Sequence, residues 1–236
     1  MDIFTHLNKR AHVMKYDGDK VPPKEQVDDL LYKAWKVTPS KNNFMPYHCN
    51  VLGPEKVSEK HSIWTKCMRN KKKINETNIP KHYTHLAEDR ANWKEDGHNP
   101  YFEHINSSPY LLVFTQRVCE PNLFYADSIA RGDFYEQMHE EHIPELLRTA
   151  AVEVGMFMAN LGALALEQKL NTSTIICFPY HTNTWTRGWE DLPWVKYPVI
   201  LLGSIGYKQE LRREHMSDYS SKRDKKPEKE TVIQWR

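Results

Sequence analysis

Residues 152–170 read VEVGMFMANLGALALEQKL. A helix through this stretch is apolar on nearly every face, and such a helix is buried, in a large core or in a subunit interface. The spacing predicts a helix from about Pro144 to Lys169, with Asn171 as its C-terminal stop. Its apolar centre, Met156 to Leu166, is interrupted by Asn160 and reads as too short to span about 30 Å of hydrocarbon. Upstream, Tyr110 to Thr115 (YLLVFT) is a continuous β-branched and aromatic run, the pattern of a buried strand. Downstream come a short strand, Thr174 to Phe178, and a longer one, Tyr197 to Tyr207. Nearer the N-terminus, Val27, Leu30, Leu31, Ala34 and Trp35 form one helical stripe behind Pro22-Pro23, and Pro39 ends it. A strand from His48 to Leu52 and a turn at Gly53-Pro54 follow. Strands separated by long helical segments argue for a mixed α/β or α+β domain.

The chain has 236 residues, enough to bury about 70% of its unfolded surface without a metal or disulfide staple. Its 33 Lys+Arg against 31 Asp+Glu leave a net charge of +2, which argues against nucleic-acid binding as the main task. The RNKKK run at 69–73 and the basic tail therefore read first as solvated charge. Cys49, Cys67, Cys119 and Cys177 are scattered with no C-x-x-C pair, which suits a reducing compartment. The start, MDIFTHLNKR, has no apolar signal region, so a cytoplasmic protein without a membrane span is expected. No repeat and no sharp composition break is visible, so residues 1–236 are expected to form one domain, with insertions near 55–106 and 116–145. The first insertion reads as helices broken by Pro80 and by residues 97–100, the second as loop and helix.

Common chemistries find little support. His82-x-x-His85 and Glu136-x-x-His139-x-x-His142 have i, i+3 spacing, but a di-iron bundle needs a second such motif and further carboxylates. HEEH is one residue too tight for the H-E-x-x-H zinc signature, and no metal site is expected. There is no G-x-S-x-G elbow, no G-x-G-x-x-G and no P-loop among nine glycines. Three segments carry more. Arg10 to Asp17 is a short basic stretch, Thr38 to Tyr47 is a polar, proline-bracketed loop, and Arg223 to Pro227 is a late basic cluster. Together they offer cations for a phosphate and small polar groups for a polyol chain.

Their order resembles that of the FMN-dependent nitroreductase family. Arg10, His12, Met14 and Tyr16 fall at the spacing of the family's Arg-x-Ser-x-Arg-x-Phe/Tyr opening. Pro39, Ser40, Asn43, Met45, Pro46 and Tyr47 follow its Pro-Ser-x-x-Asn-x-Gln-Pro-Trp. Ser108-Pro109 before a strand, Glu153-x-Gly155 with Asn160-Leu161 in the long helix, the strand ending Gly206-Tyr207, and Arg223 and Lys225 before Pro227 match in turn. The resemblance runs from about Lys9 to Trp235, with 55–106 and 116–145 unmatched.

The resemblance implies an α+β nitroreductase-like sandwich, a mainly antiparallel sheet flanked by helices, in an intertwined homodimer with FMN at the interface. It implies cofactor-binding roles for Arg10, His12, Met14, Ser40, Asn43, Met45, Cys177, Phe178, Pro179, Arg223 and Lys225, and a substrate-side role for Asn42. Arg10, Arg223 and Lys225 would hold the phosphate, and Ser40 and Asn43 the ribityl chain or flavin edge, from the other subunit. The strand end at Cys177, Phe178 and Pro179 would lie against the isoalloxazine, and the arm 219–236 would be anchored on the partner by Val232, Ile233 and Trp235. The implied reaction is ping-pong transfer of hydride from NAD(P)H through flavin to a nitroaromatic, quinone or similar small-molecule acceptor, with no catalytic side chain required. The departures are His12 for a small hydroxyl, Met14 for a cation and Met45 for a glutamine. They keep open another flavin chemistry, such as reductive dehalogenation or flavin fragmentation, and a flavin-binding protein without useful turnover. Asn70 and Lys73 have the spacing of a flavin-touching family pair, within the unmatched insertion.

Overall fold

The computed structural model describes residues 2–8, 10, 13, 15–77, 103–117, 119, 143–176, 178, 189–209 and 232. Among the described residues four strands form one antiparallel sheet: β1 (Tyr47–Leu52), β2 (Tyr110–Gln116), β3 (Asn171–Ile175) and β4 (Val199–Gly206), in the order β1-β2-β4-β3. The helices are α1 (Ile3–Leu7), α2 (Lys24–Val37), α3 (Val57–Thr77), α4 (Glu103–Ser107) and α5 (Ile143–Glu167). The RNKKK run, with Asn70 and Lys73, lies in the second half of α3. The breaks expected at Pro80 and 97–100, the histidine pairs at 82/85 and 139/142, and the arm 219–236 apart from Val232 lie outside the described residues.

Every residue of central strand β2 is buried, and side-chain alternation sends its apolar groups to two different cores. Tyr110, Leu112 and Phe114 face Val27, Leu30 and Ala34 of α2 and Val154, Phe157 and Leu161 of α5. Leu111 and Val113 face Ile63 and Cys67 of α3, Ile105 of α4, and Trp189, Leu192 and Val195. A strand covered on both sides has no polar face to show, hence the unbroken YLLVFT run. The α+β sandwich follows. Between β2 and β4 the register jumps from Phe114↔Leu201 to Thr115↔Val199, a bulge that leaves Ile200 without a direct partner.

Helix α2 ends where its sequence requires. Thr38 precedes a proline, which disfavours helical backbone, and it is extended at φ −78° and ψ 120°. Its hydroxyl donates back to Ala34 O at 2.7 Å. Helix α5 is longer than its apolar centre suggests. The stretch Arg148–Glu167 is long and apolar enough to cross a membrane by length and composition, so the expectation that it is too short is corrected. Its Val154, Phe157, Met158, Leu161 and Ala165 are packed into the sheet core instead.

The C-terminus of α5 also differs from expectation, because Lys169 and not Asn171 turns the chain. Lys169 has φ 60°, Leu170 N–H donates to Ala165 O at 2.9 Å, and Lys169 N–H to Leu166 O at 3.1 Å. This is the paired bonding of a Schellman end, with buried Leu170 as its apolar clasp. The early turn lets β3 begin at Asn171 and stop at Ile175, so Phe178 lies beyond the strand. Left-handed backbone costs a side-chain-bearing residue about 1–2 kcal/mol, partly offset in glycine by chain entropy. Lys169→Gly is therefore expected to raise the unfolding free energy by about 0.5–1 kcal/mol and Lys169→Ala not to. Urea titration of both variants checks this, and no gain from glycine would refute the left-handed assignment.

A second buried group makes a pH prediction. Lys60 is 3% exposed, and its ammonium donates to Ser108 O at 2.9 Å and Pro109 O at 3.4 Å, tying α3 to the start of β2. Burial holds its pKa below the usual 10.5, against a smaller opposing pull from Glu55. Between the two values the unfolded chain binds more protons than the folded one, so stability rises with pH across that window. Lys60→Met should lose this alkaline rise, so unfolding curves from pH 8 to 10.5 should show the wild type gaining stability relative to the variant as pH increases.

Candidate cofactor site

The loop Ser40–Pro46 joins α2 to β1, and its backbone is unusual. A single 3-10 turn, Lys41–Asn43, is followed by two non-glycine residues with positive φ within three positions, Asn43 at 57° and Met45 at 49°. Ser40 Oγ accepts the Met45 N–H at 2.8 Å, and Tyr47 N–H donates to Met45 O at 2.7 Å. Asn43 is exposed, while Ser40 and Met45 are half-buried. The Tyr47 hydroxyl donates to Met45 Sδ at 3.3 Å, so this sulfur is engaged locally. Asn42 contributes backbone to the 3-10 turn.

Two charged side chains hold the loop, one at its start and one toward its end. Glu153 of α5, 3% exposed, accepts the Lys41 N–H on Oε1 at 2.9 Å, and its buried Oε2 has no hydrogen-bond partner among the described residues. Arg117, just past β2, donates from Nε to Met45 O at 3.0 Å and from Nη2 to Phe44 O, while its backbone N–H donates to Pro46 O at 3.0 Å. Asn160 Nδ2 donates to Thr38 Oγ1 at 3.0 Å and fixes the approach to the loop.

Burial keeps the two thiols and the phenol near the loop in their neutral forms. Burial pushes the Cys49 thiol up to about 12. Burial also raises Cys119, with Arg117 opposing and Glu153 adding to the rise. Neither thiol is thus an activated nucleophile. Burial, then the charges of Glu153 and Cys49, raises the Tyr47 phenol, and burial followed by Arg117 lowers His48. Among the described residues the site offers donors, acceptors and a cation.

Arg10 lies elsewhere on α5. It is exposed, its N–H donates to Leu7 O at 3.0 Å, and its stem passes the helix at Gly162. A Cβ there would sit 3.7 Å from Arg10 Cδ and 3.0 Å from Thr172 Oγ1, so this glycine makes room for both chains. Gly162 and Glu153 are nine residues apart, which is about 13–14 Å along the helix and half a turn around it. Arg10 and the Ser40 loop therefore meet opposite faces of α5 and do not converge within one chain.

Phe178 is 4% exposed and packs its ring on Trp189 at 6.1 Å and 69°. Its side chain belongs to the core layer opposite α5, and it is not at a strand end as expected. His12, Met14, Cys177, Pro179, Arg223 and Lys225 lie outside the described residues. Arg117 and Glu153 were not among the candidate site residues. Glu153 had a signal: it is the single charge between Thr149 and Leu166, and a lone charge in a buried run needs a partner.

No protein-family model matches the chain, and no curated protein matches it in sequence. Solved structures do match in shape. A BluB-like flavoprotein from Clostridium difficile 630 is 15% identical with a TM-score of 0.59, and covers 100% of both chains. A nitroreductase family protein from Streptococcus pneumoniae TIGR4 is 16% identical with a TM-score of 0.58, covering 99% of this chain and 100% of its own. A protein assigned as a nitroreductase, in complex with FMN, from Exiguobacterium sibiricum 255-15 is 13% identical with a TM-score of 0.52, covering 93% and 97%. At these identities the likeness is one of fold, and the fold is nitroreductase-like.

Proposed function

We propose that this chain is a soluble, cytoplasmic FMN-dependent oxidoreductase working as a homodimer. The observation that carries the reading is the Ser40–Pro46 loop, with left-handed backbone at Asn43 and Met45 and with Asn43 exposed, at the place where the resembled family puts a flavin-binding loop. The residues present fit FMN. Arg10 offers an exposed guanidinium for a phosphate, and Ser40 and Asn43 offer small polar groups for a polyol chain. When bound, FMN supplies two-electron transfer between NAD(P)H and a small acceptor such as a nitroaromatic or quinone. The chain's own part is to bind and orient. Arg10, with Arg223 and Lys225, holds the phosphate, and Ser40 and Asn43 hold the polyol and ring edge, with Asn42 on the acceptor side.

The dimer reading draws support from α5. Arg10 and the loop meet opposite faces of this helix, so a site using both takes them from different subunits. Ala151, Val152, Gly155 and Ala159 are exposed along α5, an apolar stripe suited to a second copy of the chain. In that reading the tail carries Arg223 and Lys225 across the interface, and Val232, 67% exposed in the single chain, helps to anchor it.

A visible absorption spectrum of the purified protein, followed by anaerobic addition of NADH or NADPH, tests the proposal. A yellow protein that bleaches supports it. A yellow protein that does not bleach favours flavin binding without turnover, the reading favoured by the thioether at Met45, whose sulfur is engaged by Tyr47. A protein that cannot be loaded with FMN overturns the flavin reading.

A further inference from the structure

We propose that Arg117 is a positioning residue for the cofactor loop: its forked guanidinium holds Ser40–Pro46 in the path, left-handed at Met45, that the flavin meets. This rests on the flavin reading above. Left-handed backbone is unfavourable for residues bearing a Cβ, less so for asparagine than for methionine. It persists only where surrounding contacts over-determine it. At Met45, with φ 49°, those contacts can be named.

Ser40 Oγ takes the Met45 N–H, and Glu153 takes the Lys41 N–H that begins the turn. Arg117 takes the carbonyls of Phe44 and Met45 together, with the Cys119 thiol adding a weak donor to Phe44 O at 3.4 Å. Two successive carbonyls turned toward one group fix the peptides on either side of Met45, the residue that must stay left-handed. Only arginine offers two donors in a rigid planar fork, whereas lysine presents a single point charge. Arg117 is itself anchored, because its backbone N–H extends the β1–β2 pairing to Pro46 O. The sheet thus sets the guanidinium, and the guanidinium sets the loop. Without it Met45 relaxes, the binding-competent loop becomes a minor population, and apparent affinity falls by that fraction.

The experiment uses the full chain with Arg117→Ala, Arg117→Lys, Met45→Gly and the Arg117→Ala/Met45→Gly double variant. Amide hydrogen exchange at Met45 and Tyr47 reads the loop, and fluorescence titration with FMN reads affinity. Arg117→Ala should speed exchange across 40–47 and weaken FMN binding about tenfold, and Arg117→Lys should fail to restore either. In the Met45→Gly background the loss from Arg117→Ala should shrink to threefold or less, because glycine takes the left-handed path without a Cβ penalty. Unchanged exchange overturns the clamp. Faster exchange with unchanged FMN affinity overturns the positioning role. Equal losses in both backgrounds overturn it in favour of a direct charge effect on the cofactor, and full rescue by lysine overturns the need for a fork. If Arg117→Ala does not fold, Arg117→Lys with and without Met45→Gly decides by the same comparison. A wild-type protein that takes no FMN overturns the flavin reading and this proposal with it, and is told apart because it shows before any substitution.

Discussion

Phe114→Ala will destabilise the protein by about 3–5 kcal/mol, measured as a fall in the urea midpoint at unchanged slope. Phe114 is fully buried at the centre of three mutually edge-on rings: 5.4 Å and 67° from Phe157, 6.0 Å and 62° from Tyr47, with Tyr47 and Phe157 6.1 Å apart at 72°. Truncation opens a cavity between β1, β2 and α5, and two aromatic pairs, each worth about 0.5–1.5 kcal/mol beyond their area, disappear with it. Tyr32→Ala is the control, since Tyr32 is 57% exposed and should change stability by no more than about 0.5 kcal/mol. A loss below about 1.5 kcal/mol at Phe114 would show that this core is not packed as described. Because Tyr47 also begins β1 at the end of the Ser40 loop, FMN retention should fall in the same variant.

Arg10→Ala carries the second large effect, on function. Under the flavin reading its guanidinium takes the FMN phosphate, and truncating a charge-assisted contact of this kind costs about 1.5–3 kcal/mol, roughly 10- to 150-fold in affinity. Stability should barely move, since the side chain is exposed and only its stem lies against α5 near Gly162. The loss should also lessen as salt rises, because the interaction is between charges at a surface. An FMN titration that gives the wild-type dissociation constant for Arg10→Ala would make Arg10 an ordinary surface charge.

The parts of this molecule that could be read in advance are those whose cause is periodicity. β2 is an unbroken apolar run because two cores cover it, and α2 shows one apolar stripe because one face is covered, although Trp35, at the end of the stripe, is 45% exposed. The end of α5 was misplaced by two residues because a lysine turns it, and no residue type announces a left-handed lysine. The lost turn then displaced the start and end of β3. In the site, the Ser40 loop was visible as a polar, proline-bracketed segment, and Glu153 as the lone charge of an apolar helix. Arg117 was not visible, because its side-chain partners are backbone carbonyls of Phe44 and Met45, which every residue possesses.

The strand order β1-β2-β4-β3 has a consequence for the birth of the chain. β2 ends at Gln116 and its central partner β4 ends at Gly206, 90 residues later by subtraction. At about 5–20 residues per second on the ribosome, β4 is completed roughly 5–20 s after β2. For that interval β2 has α2, α3 and α4 available for its faces but only β1 beside it in the sheet, so the edge that β4 will take stays open. An apolar edge left open invites pairing with another nascent chain. A chain truncated between Gln116 and Val199 is therefore expected to self-associate through that edge, which sedimentation of the truncated product would show.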